Sequence, residues 1–125
     1  MASSRPIARA NQAEKAERFR ALHDAPNAFV IPNPWDAGTA RILTALGFEA
    51  LTTTSAGLAF TLGRRDGAGE VSRKETFANA KAIVDATDLP VAADLENGFG
   101  DAPEAVAETI RLAGEVGLVG GSIED

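Results

Sequence analysis

The sequence predicts an α/β fold in which a parallel sheet is covered by helices. Three observations carry this expectation. Short apolar runs bounded by Pro, Gly and Asn alternate with helix-forming segments along the whole chain. The last two of those runs are nearly continuous apolar stretches, as strands buried on both faces require. Both of them end in acids, and in folds of this class ligands gather at the carboxyl edge of the sheet.

The elements follow in order. Residues 1–12 (MASSRPIARANQ) lack the 7–15-residue apolar stretch of a secretory leader and read as a tail. Residues 11–24 are good helix formers, with Ala16, Phe19 and Leu22 along one side, and Pro26 and Asn27 end the helix. Residues 28–32 (AFVIP) form the first apolar run, expected as a buried strand. Asp36 opens a helix that turns Ile42, Leu43 and Leu46 inward and stops at Gly47. Residues 49–53 (EALTT) give a second strand, followed by a glycine-containing stretch with a short helix at 58–62 and a loop at GRRDGAGE.

Ser72 with Glu75 three residues on makes a capping box, and the helix it starts places Phe77, Ala80, Ile83 and Val84 on one face. Pro90 begins the third strand, PVAADLE. Asp101 is the expected N-cap of a helix with Pro103 and Glu104 in its first turn. That helix runs to Gly117, with Val106, Ile110, Ala113 and Val116 as its apolar face, and LVGGSIED is the fourth strand.

Composition narrows the function. The 125 residues include 12 Lys plus Arg and 18 Asp plus Glu, a formal charge of −6 that disfavours a nucleic-acid partner. No apolar run approaches the ~20 residues of a membrane span, so the cytoplasm is the expected compartment. With no cysteine and a single histidine, His23, thiolate sites and histidine-based triads are excluded within this chain. Chemistry must come from carboxylates, backbone amides, Ser/Thr and Arg.

Four constellations qualify. Asp94 and Glu96 alternate along a strand and so share a side, with Leu95 opposite, and Glu124 falls close to them if the third and fourth strands are neighbours. Such acids either converge on a hard cation, Mg²⁺ or Mn²⁺, or are solvated strand ends. Gly98 and Gly100 before a helix fit a tight turn better than a phosphate cradle. TTSAG at 53–57 can hold an anion such as a carboxylate or phosphonate on small-residue amides, or it is a plain turn. In GRRDG, Asp66 can be an acid, a base or an outer metal partner, and Arg64 and Arg65 can pair substrate carboxylates, against the commoner alternative of a solvated charge cluster. His23 is expected to be structural or exposed, and Trp35 to lie in the core.

Taken together, IPNPWDAGTARIL, TTTSAGLAFTLGRRDG, VAADLENGFGD and GGSIED, in this order and spacing, resemble the isocitrate lyase/phosphoenolpyruvate mutase family from about Phe29 to Asp125. The resemblance implies a (β/α)₈ TIM barrel that binds Mg²⁺ and an α-keto acid or its enolate, and that makes or breaks a C–C or P–C bond next to that group. It matches Asp94 to the main metal-binding aspartate, Glu96 to a second acid that is usually Asp, and Glu124 to the glutamate of the fourth strand's acid pair. Ser55, Ala56 and Gly57 fall in the segment that binds the substrate carboxylate, and Asp66 matches a loop aspartate near the metal.

A full barrel takes about 250 residues, so four β/α units amount to a half-barrel, with residues 1–27 as tail and first helix and 28–125 as the barrel half. Unpaired strand edges and an exposed interior predict a homo-oligomer. The catalytic expectation is a lyase or mutase acting on a small oxo-acid or phosphonate. The alternative is a truncated, catalytically silent half-barrel that binds metal or oxo-acid, or assembles with a partner.

Overall fold

The computed structural model describes residues 10–124. Its elements run α1 (Gln12–Asp24), α2 (Ala37–Ala45), β1 (Leu51–Thr52), α3 (Ser55–Thr61), α4 (Arg73–Ala86), β2 (Val91–Asp94), α5 (Pro103–Glu115) and β3 (Gly120–Ser122). The three strands form one parallel sheet in the order β1-β2-β3, with Leu51 opposite Val91, Ala92 opposite Gly120 and Asp94 opposite Ser122. The α/β class and the parallel sheet are therefore as expected.

The expected first strand, 28–32, is not one, and the reason lies in two prolines. Thr52 N–H donates to the Pro32 carbonyl at 3.1 Å, which is a single rung of parallel pairing. In that register the adjacent rungs call for N–H groups at positions 32 and 34, and both are proline. The side-chain amide of Asn33 reaches the Thr52 carbonyl at 3.3 Å in place of the missing donor. The segment is extended and docked, but it makes no ladder, so three strands stand where four were expected.

Local signals place most helix starts. Asn11, Asp36 and Thr54 each cap a helix through their side chains, and Ser72 and Glu75 form the full capping box. Gly47 takes φ +95° just after α2, as its role as a stop requires. For α5 the N-cap is Ala102, not Asp101, and it makes no side-chain bond; Pro103 at the first position removes one of the donors a cap would have to satisfy.

The core lies between the sheet and α2, α4 and α5. Leu51, Val91, Ala93 and Leu95 meet Ala40, Phe77, Ala80, Ile83, Val84, Ala113 and Leu118 there. Along α5 the buried positions are Thr109 and Ala113, whereas Ile110 is half exposed. On α2 the small Ala40 is buried while Ile42 and Leu46 face outward, at 60% and 69% exposure. Of the expected stripes, Leu43, Ala113 and Val116 do pack on the core, whereas Ile42, Leu46 and Ile110 turn outward and the small Ala40 and Thr109 take the closest positions.

Helix α1 fastens to the opposite edge of the sheet from the acids. Gln12 Nε2 donates to the Gly114 and Leu118 carbonyls, buried Lys15 reaches the Thr87 carbonyl, and Ala10 N–H reaches Asp88. Those partners sit in the segments leading into β2 and β3. His23 bonds the Phe19 carbonyl through Nδ1 and stands edge-on to Phe19 and Phe29, which is the expected structural role. Among the described residues, no helix is long and apolar enough to cross a membrane.

Candidate active site

A cleft of about 280 Å³ opens at the carboxyl edge of the sheet, and Ser55, Asp66, Asp94, Glu96 and Glu124 all line it. The topology brings them there. Asp94 is the last residue of β2, Glu124 follows β3, and Ser55 follows β1. Glu124 N–H donates to the Glu96 carbonyl at 2.7 Å, so the two chains remain paired just past the assigned strands. Asp125, the other acid of that strand end, lies outside the described residues.

Asp94 is held by its neighbours. Glu96 N–H donates to its Oδ1 at 3.0 Å, Ser55 N–H donates to its Oδ2 at 3.3 Å, and its own N–H donates to the Thr53 hydroxyl. Leu95 is fully buried on the helix side, as strand alternation predicts. Glu96 reaches the cleft by another route. It stands beyond β2 at φ +51°, so a left-handed turn rather than strand periodicity directs its side chain.

The TTSAG segment is the first turn of α3 rather than an open cradle. Of its three candidates only Ser55 lines the cleft, and its amide serves Asp94. Gly57 is buried, its N–H is taken by the Thr54 hydroxyl, and Trp35 packs so closely that any side chain at 57 would clash with the indole. Ala56 lies outside the lining as well. Trp35 is not the core residue expected. It is 46% exposed and stands edge-on to Phe60 at a ring separation of 6.2 Å.

The GRRDG loop carries Asp66 to the cleft while its arginines turn away. Arg64 Nη1 contacts both Glu75 carboxylate oxygens at 2.7 Å and the Glu70 carbonyl at 3.1 Å. Arg65 N–H donates to Glu70 Oε2 at 2.8 Å. Arg64 beside Glu75 holds that carboxyl at about 2, well below its ordinary range, with further help from the Ser72 N–H. Arg64 anchors the loop to the start of α4, Arg65 braces the loop internally on Glu70, and neither is among the cleft's lining residues.

Sequence reasoning missed Val71, Asn97 and Phe99, which also line the cleft. The only signal was the pair of glycines around Phe99. Gly98, at φ +87°, has Val106 against it, where a Cβ would come within 2.8 Å of Val106 Cγ2. The buried Thr109 hydroxyl donates to the Gly98 carbonyl at 2.6 Å. Phe99 itself is left-handed at φ +61°, with its N–H bonded to Asn97 Oδ1.

The family model for phosphoenolpyruvate phosphomutase matches residues 19–125. The chain belongs to that family. Like members of the phosphomutase family, it is similar to the 2,3-dimethylmalate lyase of Eubacterium barkeri, at 36% identity over 88% of this chain and 38% of the relative. It is similar to the 2-methylisocitrate lyase of Bacillus subtilis as well, at 34% identity over 92% of this chain and 38% of the relative. A solved Burkholderia cenocepacia structure, provisionally described as a lyase/mutase, superposes with a TM-score of 0.88 at 64% identity, covering 91% of this chain and 40% of that one. The chain thus spans about two fifths of the length of these relatives.

The phosphomutase-family cleft suits a hard cation. Its charged lining consists of Asp66, Asp94, Glu96 and Glu124, with no Lys, Arg or His among the described lining residues. Burial raises the Glu96 carboxyl above its ordinary range, and the negative charges of Asp66, Asp94 and Glu124 raise it further. Like charges facing one space are relieved by a divalent ion with oxygen ligands. Among the described residues no group of three or more acids or histidines sits close enough to hold a metal ion.

Proposed function

We propose that the cleft is the metal-binding side of a lyase- or mutase-type active site, within a (β/α)₈ barrel, that makes or breaks a C–C or P–C bond next to an α-keto acid or enolate. The single observation that carries this reading is the gathering of Asp66, Asp94, Glu96 and Glu124 around one cleft at the carboxyl edge of a parallel sheet. Barrel enzymes place their chemistry at that edge. The names of the relatives, 2,3-dimethylmalate lyase and 2-methylisocitrate lyase, support a small hydroxy- or oxo-polycarboxylate as substrate.

Asp94 is the principal ligand for Mg²⁺ or Mn²⁺, because the Ser55 and Glu96 amides fix its carboxylate before any ion arrives. Glu96 and Glu124, on the same cleft, would add negative charge facing such an ion. When bound, the ion stabilises negative charge as it grows on the keto oxygen of the substrate. Ser55 lines the cleft with its amide committed to Asp94, so its hydroxyl is the group that would meet the substrate carboxylate. Asp66 takes up or delivers the proton at its carboxylate oxygen, from a loop that the Arg64–Glu75 pair keeps over the cleft.

The test is turnover of oxaloacetate, phosphonopyruvate and methylisocitrate by the full-length protein over a Mg²⁺ titration. Metal-dependent turnover of one of them is expected, with Asp94→Ala reducing it by about 10³-fold or more. Turnover that survives both EDTA and Asp94→Ala would refute the assignment.

A further inference from the structure

In an acidic cleft the two apolar side chains, Val71 and Phe99, need an explanation. Phe99 needs one doubly, because an aromatic residue at φ +61° is strained. Strain of this kind persists only where the surroundings over-determine the backbone, and such residues concentrate at functional sites. Here the surroundings do so from both sides. Gly98 is pressed against Val106, and Thr109 pins the Gly98 carbonyl from a fully buried position. Asn97 Oδ1 accepts the Phe99 N–H and closes the turn. The turn is thus held in place, and it brings an aromatic residue to a cleft whose other lining residues, Val71 apart, are acidic, small or polar.

We infer that Phe99 is the specificity-determining residue of this site, its ring and Val71 forming an apolar wall that receives an alkyl substituent on the acid substrate. This rests on the oxo-acid reading above and adds to it a preference for branched over unbranched members of the class. The acids address the oxygens of a substrate that all members share. Among the described lining residues, Val71 and Phe99 are the ones able to distinguish a methyl group from a hydrogen through apolar burial. A fixed ring does so better than a mobile one, since none of the contact is spent on ordering it.

The measurement is calorimetric binding of malate and of 2,3-dimethylmalate to the full-length protein in the presence of Mg²⁺. Wild type is expected to bind the dimethyl compound at least about 10-fold tighter than malate, the discrimination that a methyl-sized apolar contact supplies. Phe99→Gly deletes the ring without adding strain, because glycine accepts φ +61° freely. It is expected to bring the ratio to within about 2-fold of unity while leaving malate binding in place. Phe99→Leu keeps an apolar side chain and is expected to retain a preference between the two. Equal weakening of both ligands in Phe99→Gly, or an unchanged ratio, overturns the inference and leaves the oxo-acid reading standing. Failure of wild type to bind either compound while it still binds oxaloacetate overturns the inference alone, and failure to bind oxaloacetate as well overturns both.

Discussion

Two segments line the cleft and are held there by different physics. The loop that brings Asp66 is tied down by charge near the surface: half-buried Arg64 on Glu75, and exposed Arg65 on Glu70. The turn that brings Glu96 and Phe99 is tied down by packing, with Gly98 against Val106 and the buried Thr109 hydroxyl on the Gly98 carbonyl. Exposed ion pairs are weak and are screened by salt, whereas buried contacts of this type are costly to break. The comparison therefore assigns a yielding side and an unyielding side to one site. The Asp66 side can move when a substrate enters, while the side that reads substrate shape stays fixed.

The sharpest way to break this contrast is at Gly98. Gly98→Ala sets a Cβ against Val106 in a backbone at φ +87°, and the expected loss is about 2–4 kcal/mol in urea denaturation. Thr109→Val comes next. It removes the donor from the Gly98 carbonyl while keeping the volume, and the expected cost is about 1–3 kcal/mol, again by denaturant midpoint. A wild-type midpoint for either variant would mean that the turn is not pinned by α5.

Smaller and different in kind is Arg64→Ala. The urea midpoint is expected to move little, while hydrogen exchange across residues 64–71 rises severalfold, and 1 M salt on wild type reproduces part of that rise. The mildest perturbation is acid. Because the folded Glu75 carboxyl lies at about 2, below its ordinary value near 4.3, its pairing with Arg64 is complete above that ordinary value and is lost as pH falls through about 2. Protection of the same loop amides, relative to the intrinsic exchange rate at each pH, should fall over that window, and Glu75→Gln should remove that fall.

The yielding side was the more legible of the two in the sequence, because its ties are local. The Ser72–Glu75 capping box is a four-residue pattern, and Asp66 follows two arginines within one loop. The convergence of Asp94, Glu96 and Glu124 was readable too, since parallel strands deliver their last residues to one edge. Phe99 was not readable. Its left-handed backbone is a consequence of Val106 and Thr109, seven and ten residues further on, and nothing adjacent to Phe99 announces it. Ile42 and Ile110 failed for a related reason: helical spacing identifies an apolar stripe but not which neighbour stands close to it. At Gly57 the sequence leaves an anion-holding segment and a plain turn open, and the structure shows that its smallness serves the indole of Trp35.

Pro32 and Pro34 determine how the sheet comes apart. Leu51 and Thr53 turn their amides to β2, where the Pro90 and Ala92 carbonyls receive them, but Thr52 turns its amide to Pro32. Within one short strand, neighbouring amides therefore report on two seams of very different strength. The outer seam, stitched by one backbone bond and a borrowed asparagine amide, should peel first and leave the acid-bearing strands intact behind it.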